Sequence, residues 1–309
     1  MGWFVIMFQG KGTGIDMKSQ EDMINELNRI EEFICSYVYE NEKVVIPVSG
    51  GLDSDVVARL CYRALGKDRI HLFTVNQPYT ERKYLDNVKN LSIDLGVLSA
   101  VIEPMDMNVQ IIRALQEADP DIGFDPESLL DPARANCSLR TAFLSTYQDK
   151  GFLVAGNSNL SEIQLGFYMP FGDNLGHFKP IAHLYKSEVR ILAGILGTRE
   201  EVISQEPSAG FWEGEEDLED LAFWLYHGGP IPAGKIFSDQ ECEQVMKIKE
   251  ELSQIRVDTC LEMLSAGCAE DEIAKVTELS KSVVHAIQNT VNMSARLKNR
   301  TLLSRLERW

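Results

Sequence analysis

Val44-Val45-Ile46-Pro47-Val48-Ser49-Gly50-Gly51-Leu52-Asp53-Ser54 passes from a compact apolar run, through two glycines, into a new pattern. The run Val44–Val48 reads as a strand, and Val56, Val57, Leu60 and Leu65 then follow a helical period that stops at Gly66. Such a turn suits an anion. Paired glycines let the backbone approach closely, the helix start aims N–H groups at the ligand, and the Ser49 and Ser54 hydroxyls add donors. Asp53 would repel a bare phosphate, so its natural role beside one is to hold a divalent cation. A helix start capped by serine and aspartate accounts for the same letters, but the strand before and the helix after favour the phosphate reading.

Working outward, Met23, Leu27, Ile30, Ile34 and Val38 line one face of an upstream helix. Strand-like runs at Ile70–Val75 and Val97–Ile102 flank a helical segment from Glu81 to Leu95. This alternation predicts a doubly wound parallel α/β sheet. The polar stretch Asp119–Pro132 reads as a surface loop or lid. A helix, Leu139–Tyr147, leads into a strand, Phe152–Ala155, with Gly156-Asn157-Ser158-Asn159 at its carboxyl end, where ligands of open α/β sheets sit. A helix over Ser187–Leu196, an acidic loop over Glu206–Asp220 and an all-helical region from Ser238 complete the chain. The expected organisation is a leader at 1–19 with Met17 as a natural start, an α/β domain over 20–230, and a helical extension at 231–309 packed on it.

Composition narrows the partners. In 309 residues, 30 Lys and Arg oppose 47 Asp and Glu, a net charge of −17 that opposes binding to a polyphosphate backbone. The six cysteines form no C-x-x-C pair, which favours reduced buried thiols in the cytoplasm over a zinc or dithiol site. Trp3–Phe8 is too short to span a membrane. Ala274, Leu279 and Val284 have helix-turn-helix-like spacing, but the acidity of that segment favours packing within the protein over DNA binding.

The Ser49–Ser54 loop resembles the signature of the ATP pyrophosphatases, which cleave ATP between the α and β phosphates. Gly156-Asn157-Ser158-Asn159-Leu160-Ser161-Glu162, Gly166-Phe167-Tyr168, Phe171-Gly172-Asp173, Lys179-Pro180-Ile181, Leu184-Tyr185-Lys186 and Glu206–Trp212 occur in the order found in ammonia-dependent NAD synthetases. The resemblance implies a three-layer α/β/α fold, ATP and magnesium as cofactors, and a homodimer, with which Tyr37 and Tyr39 are compatible. It makes Asp53 and Glu162 the magnesium ligands and Asp53 and Lys186 the catalytic pair. Ser49, Gly50, Gly51, Ser54, Asn157, Lys186 and Ser208 would contact the nucleotide, and Arg140, Phe167, Asp173 and His177 the second substrate.

The departures from the family pattern gather on that second substrate. Ser138 stands where the family has an arginine, with Arg134 and Arg140 nearby; Pro170 replaces a lysine and His177 an aspartate. Glu215-Glu216-Asp217-Leu218 replaces Gln-Thr-Asp-Glu, and only Arg296 or Lys298 could stand in for a C-terminal His-Lys pair. A lone histidine in a glycine-flanked loop is also well explained as an exposed or packed side chain rather than a catalytic base. Two acceptors therefore stay open: deamido-NAD, or another carboxylate or sugar-type substrate adenylated in the same way. The position of the ATP motif leaves no space for a fused amidase, so free ammonia or a separate glutaminase is the expected nitrogen source.

Overall fold

The computed structural model describes residues 18–76, 80–169, 172, 174–206, 208, 216–232 and 234–303, with side chains through 295. The leader to residue 17, Pro170, Asp173, most of the acidic loop and the side chains of Arg296 and Lys298 lie outside the described residues.

Four strands, β1 (Lys43–Pro47), β2 (Ile70–Val75), β3 (Ser99–Ile102) and β4 (Phe152–Val154), form a parallel sheet in the order β3-β2-β1-β4. Val44 pairs with Ile70 on one side and Leu153 on the other. Strand order reverses between β1 and β4, so the crevice beyond their carboxyl ends is the switch point of the fold. The helices are α1 (Gln20–Tyr37), α2 (Leu52–Leu65), α3 (Arg82–Leu95), α4 (Met107–Ala118), α5 (Leu130–Gln148), α6 (Leu160–Leu165), α7 (Lys186–Leu196), α8 (Glu200–Ile203), α9 (Asp217–His227), α10 (Asp239–Glu251), α11 (Gln254–Ser265), α12 (Glu270–Thr277) and α13 (Lys281–Leu303).

Because side chains alternate along a strand, β1 feeds two cores. Val44 and Ile46 pack with Leu72 against Ile30 and Ile34 of α1, Val57 and Leu60 of α2, and Val189 and Leu192 of α7. Val45 turns to the opposite face with Phe73 and Val154 and meets Leu144 of α5. A separate core gathers Leu221 and Leu225 of α9, Val245 of α10, Val257 and Leu261 of α11, Ile273 of α12 and Val284 and Ile287 of α13, and it includes Leu165 of α6. The helical region thus grips the α/β layer through α6. Among the described residues no helix is long and apolar enough to cross a membrane.

Two expectations change. Helix α4 has only Asn108 and Ile112 buried, too narrow a stripe to announce a helix in the sequence. The stretch 119–132 is partly ordered into α5, which begins at Leu130 rather than Leu139. Pro132 is tolerated within its first turn, Asn108 donates to the Pro132 carbonyl at 3.2 Å, and the Asp125 N–H donates to Asp131 at 2.9 Å.

A partly buried ion network links α2 to its neighbours. Arg59 reaches Asp55 at 2.6 Å and Asp94 at 2.9 Å, Arg199 reaches Asp94 at 2.7 Å, and the Thr198 hydroxyl donates to Asp55 at 2.7 Å. These contacts tie α2, α3 and the start of α8 together.

Candidate active site

The β1–α2 turn is shaped by one glycine. Gly50 has φ +83°, and a Cβ there would collide with the Tyr84 backbone carbonyl, so only glycine lets the loop lie against α3. Asn87 on α3 donates to the Gly50 carbonyl and to Gln205, both at 2.9 Å. The Ser54 hydroxyl donates to the Gly51 carbonyl at 3.0 Å and accepts from the Ser49 N–H at 3.1 Å, closing the turn on itself. Gly51 caps α2 without a side-chain hydrogen bond, leaving the start of that helix without a side-chain cap beside the crevice.

Three helix starts meet here. Asp53 lies in the first turn of α2, Glu162 in the first turn of α6, and Lys186 opens α7. Lys186, buried, forms an ion pair with Asp53 and stands 4.0 Å from Glu162. Burial alone would push its amine down. Asp53, Glu162 and Asp217 outweigh that and hold it well above the ordinary lysine value, so it stays a cation.

Asn159, fully buried, holds the two carboxylates together. Its amide donates to Glu162 Oε1 at 2.7 Å and Asp53 Oδ1 at 3.2 Å, while its oxygen accepts from the Glu162 N–H at 3.0 Å. The sequence reading gave Asn159 no role, although Asn-x-x-Glu before a helix is a capping-box signature. Asp217, Tyr84, Arg190 and Gln205, also absent from the predicted set, line the same cleft.

The cleft, about 270 Å³, brings together Ser49, Gly51, Asp53, Ser54, Asn157, Glu162, Lys186 and Ser208 with Arg140 and Phe167. Asn157 donates to the Pro47 carbonyl at 2.7 Å, and its own side-chain oxygen is buried with no hydrogen-bond partner. On α5, Arg140 faces the cleft, Ser138 is exposed outside it, and Arg134 donates to the Ile231 carbonyl at 2.7 Å.

His177 is not among the residues that line the cleft; at the outer edge of β4 its Nδ1 accepts from the Val154 N–H at 2.9 Å and its own N–H donates to the Val154 carbonyl at 2.8 Å. The ring satisfies a strand-edge amide that would otherwise lack a partner. Tyr37 of α1 donates to the His177 carbonyl at 2.8 Å and buttresses the same edge.

Residues 26–226 match the family model described as NAD synthase, about two thirds of the chain and all of the cleft. This chain belongs to the NAD synthase family. Among similar proteins, the NH(3)-dependent NAD(+) synthetase of Pyrococcus furiosus is 34% identical over 191 residues, covering 61% of this chain and 70% of that protein. The enzyme of the same name from Methanocaldococcus jannaschii is 34% identical over 207 residues, covering 65% of this chain and 77% of that one. The fold matches NMN synthetase from Francisella tularensis with TM-score 0.67 at 20% identity, and NH3-dependent NAD synthetase from Campylobacter jejuni with TM-score 0.64 at 22% identity. Both structures cover 95% of this chain and are covered completely by it. The family places this chain among the carbon-nitrogen ligases.

Proposed function

We propose that the protein uses ATP to adenylate the carboxylate of deamido-NAD and that ammonia then displaces AMP to give NAD. The observation that carries this reading is the buried Lys186 held by Asp53 and Glu162 at three converging helix starts, beside the glycine turn, in a chain of this family. A carboxylate oxygen is a poor leaving group. Its attack on the α phosphate of ATP breaks the bond to pyrophosphate, and the acyl adenylate then accepts ammonia, loses AMP and releases a proton.

The donor set fits magnesium. Asp53 and Glu162 supply hard oxygens gathered by Asn159, and among the described residues no three His, Cys, Asp or Glu side chains form a cage of their own. That suits an ion that completes its shell with phosphate oxygens and water, and when bound it would neutralise charge on the departing pyrophosphate. Lys186 offers a fixed cation to the same phosphates, and because its charge is already in place it costs no reorganisation during the reaction. The Gly50–Gly51 backbone and the start of α2 receive phosphate oxygens, Asn157 accepts from a nucleotide hydroxyl or amine, and Ser208 approaches from the loop preceding α9. Arg140 and Phe167 offer the acceptor a cation and a ring.

A different carboxylate remains the second reading, favoured by one observation: the family's arginine position is occupied by Ser138, which is exposed outside the cleft. Pyrophosphate and AMP release from MgATP and ammonium, with and without deamido-NAD, separates the two. Stoichiometric NAD by mass establishes the first. MgATP binding without NAD formation rejects it and directs a screen of other carboxylates, beginning with nicotinate mononucleotide. A homodimer and a cytoplasmic location belong to the same proposal, and light scattering tests the dimer.

A further inference from the structure

One buried acid outside the cleft touches both helices that carry its charges. Asp258 on α11 is 3% exposed, and its two oxygens serve different elements. Oδ1 accepts from the Ser161 hydroxyl at 2.6 Å and from Gln254 at 2.9 Å, and Oδ2 accepts from the Ser187 N–H at 2.8 Å. The Ser161 hydroxyl in turn accepts from the Lys186 N–H at 3.0 Å. Ser161 immediately precedes Glu162, and Ser187 immediately follows Lys186. The carboxylate therefore satisfies one opening amide of α7 directly and a second through Ser161, both groups that a helix cannot pair within itself. A negative charge at that helix start is also favourable to its dipole.

Burying a carboxylate is unfavourable, and burial pushes Asp258 above the ordinary aspartate range against the pull of its donors. A helix bundle that needed only cohesion would be better served by an apolar residue here, since its neighbours Val257 and Leu261 are fully buried in the second core.

We infer that Asp258 is a positioning residue through which the C-terminal helical region fixes the starts of α6 and α7, and so the Lys186–Glu162 separation on which transfer depends. The inference rests on the adenylation reading for its effect on turnover but not for its effect on structure. A displacement of about 1 Å in a reacting group can lower a rate about 10²-fold, so the loss falls on kcat more than on ATP binding.

The test compares Asp258→Ala, Asp258→Asn and Val257→Ala with the wild-type chain. Melting temperature, amide hydrogen exchange at 160–163 and 186–189, and kcat and KM for ATP in pyrophosphate release are read for each. Val257→Ala removes core volume from the same helix without touching α6 or α7 through a hydrogen bond, so it reports instability alone. Asp258→Ala is expected to speed exchange at both helix starts and lower kcat about 10- to 100-fold, with KM for ATP changed less than about threefold. Asp258→Asn keeps one accepting oxygen but turns the other into a donor that faces donating groups, so it is expected to fall between the wild-type chain and Asp258→Ala in both exchange and kcat. The inference is overturned if exchange at the two starts is unchanged, or if Val257→Ala at equal melting temperature lowers kcat as much. Should the wild-type chain release no pyrophosphate, the proposed function falls, and the exchange data still decide whether Asp258 fixes the two helices.

Discussion

At the end of the cleft proposed for phosphate, Lys186, Asp53, Asn159 and Glu162 hold one another, and the Asn159 side chain alone makes three hydrogen bonds within the group. At the end proposed for the acceptor, Arg140 and Phe167 reach the cleft from α5 and from the turn after α6, while the neighbouring Ser138 is exposed and does not line it. The difference bears on how each end can change. In the network, a substitution leaves a buried or half-buried partner short of a hydrogen bond or a counter-charge, so single changes there are costly. Arg140 stands outside that group and can be exchanged without breaking it, whereas Phe167 also packs edge-on against Trp224. The contrast matches where the sequence departs from the family pattern.

The contrast is broken most directly at Lys186. Lys186→Ala should lower kcat for pyrophosphate release about 10²- to 10³-fold, since it removes the fixed cation and leaves Asp53 and Glu162 facing each other; stopped or coupled pyrophosphate assays check this. Because the folded pKa of Lys186 lies above the ordinary lysine value, its charge is lost only in strong alkali, and kcat should show no alkaline limb from it below pH 10. An alkaline limb that vanishes in Lys186→Arg would contradict the network.

Next in size is the acceptor end. Arg140→Ala should reduce kcat/KM for the carboxylate substrate about 10- to 100-fold while leaving KM for ATP nearly unchanged, whereas Ser138→Ala should change either by less than about twofold. Equal effects of Arg140→Ala on both substrates would mean that the two ends are one network after all. Gly50→Ala addresses the loop itself: titration calorimetry should show MgATP affinity reduced at least about tenfold, together with a lower melting temperature, because the turn must leave the α3 carbonyl it touches.

Smaller effects are expected away from the cleft. Asp94 is held below the ordinary aspartate value of 3.8 by the Arg199 hydrogen bond, with burial opposing and Arg59 adding. A carboxylate with a lowered folded pKa contributes stability that is present above its unfolded value and lost as pH falls through the folded one. Asp94→Asn should therefore cost about 1–2 kcal/mol near pH 7 and progressively less below pH 3.8, as denaturant titrations at the two pH values would show. His177→Ala should lower stability by about 1 kcal/mol and leave kcat and both KM values within about twofold, which separates a strand-edge role from a substrate role.

Much of this was legible in the letters. The apolar runs at Val44–Val48 and Ile70–Val75 correspond to strands of five and six residues at nearly those bounds, because strands buried on both faces carry a continuous signal. Gly66 marks a helix end, the helix read over Ser187–Leu196 runs Lys186–Leu196, and the region from Ser238 is helical. Helix α4 was not legible, since only two of its residues are buried, and neither was the true start of α5, where Leu130, Asp131 and Pro132 read as loop.

His177 shows the limit on the site itself: a motif position can be assigned a substrate, but which neighbour its ring meets depends on residues far along the chain.

By itself the sequence determined the strand-turn-helix around Gly50, the family, and the types of charge that the cleft would carry. These are local matters of period, turn chemistry and spacing. Tertiary structure decided that Asn159 bridges Asp53 and Glu162, that Asp258 reaches α6 and α7 from α11, and that His177 serves a sheet edge. Asp53 and Asn159 are 106 residues apart, and Ser161 and Asp258 are 97 apart. Hydrogen bonds over such distances have no period in the sequence, and only the closure of the fold brings their donors within 3 Å or so of an acceptor.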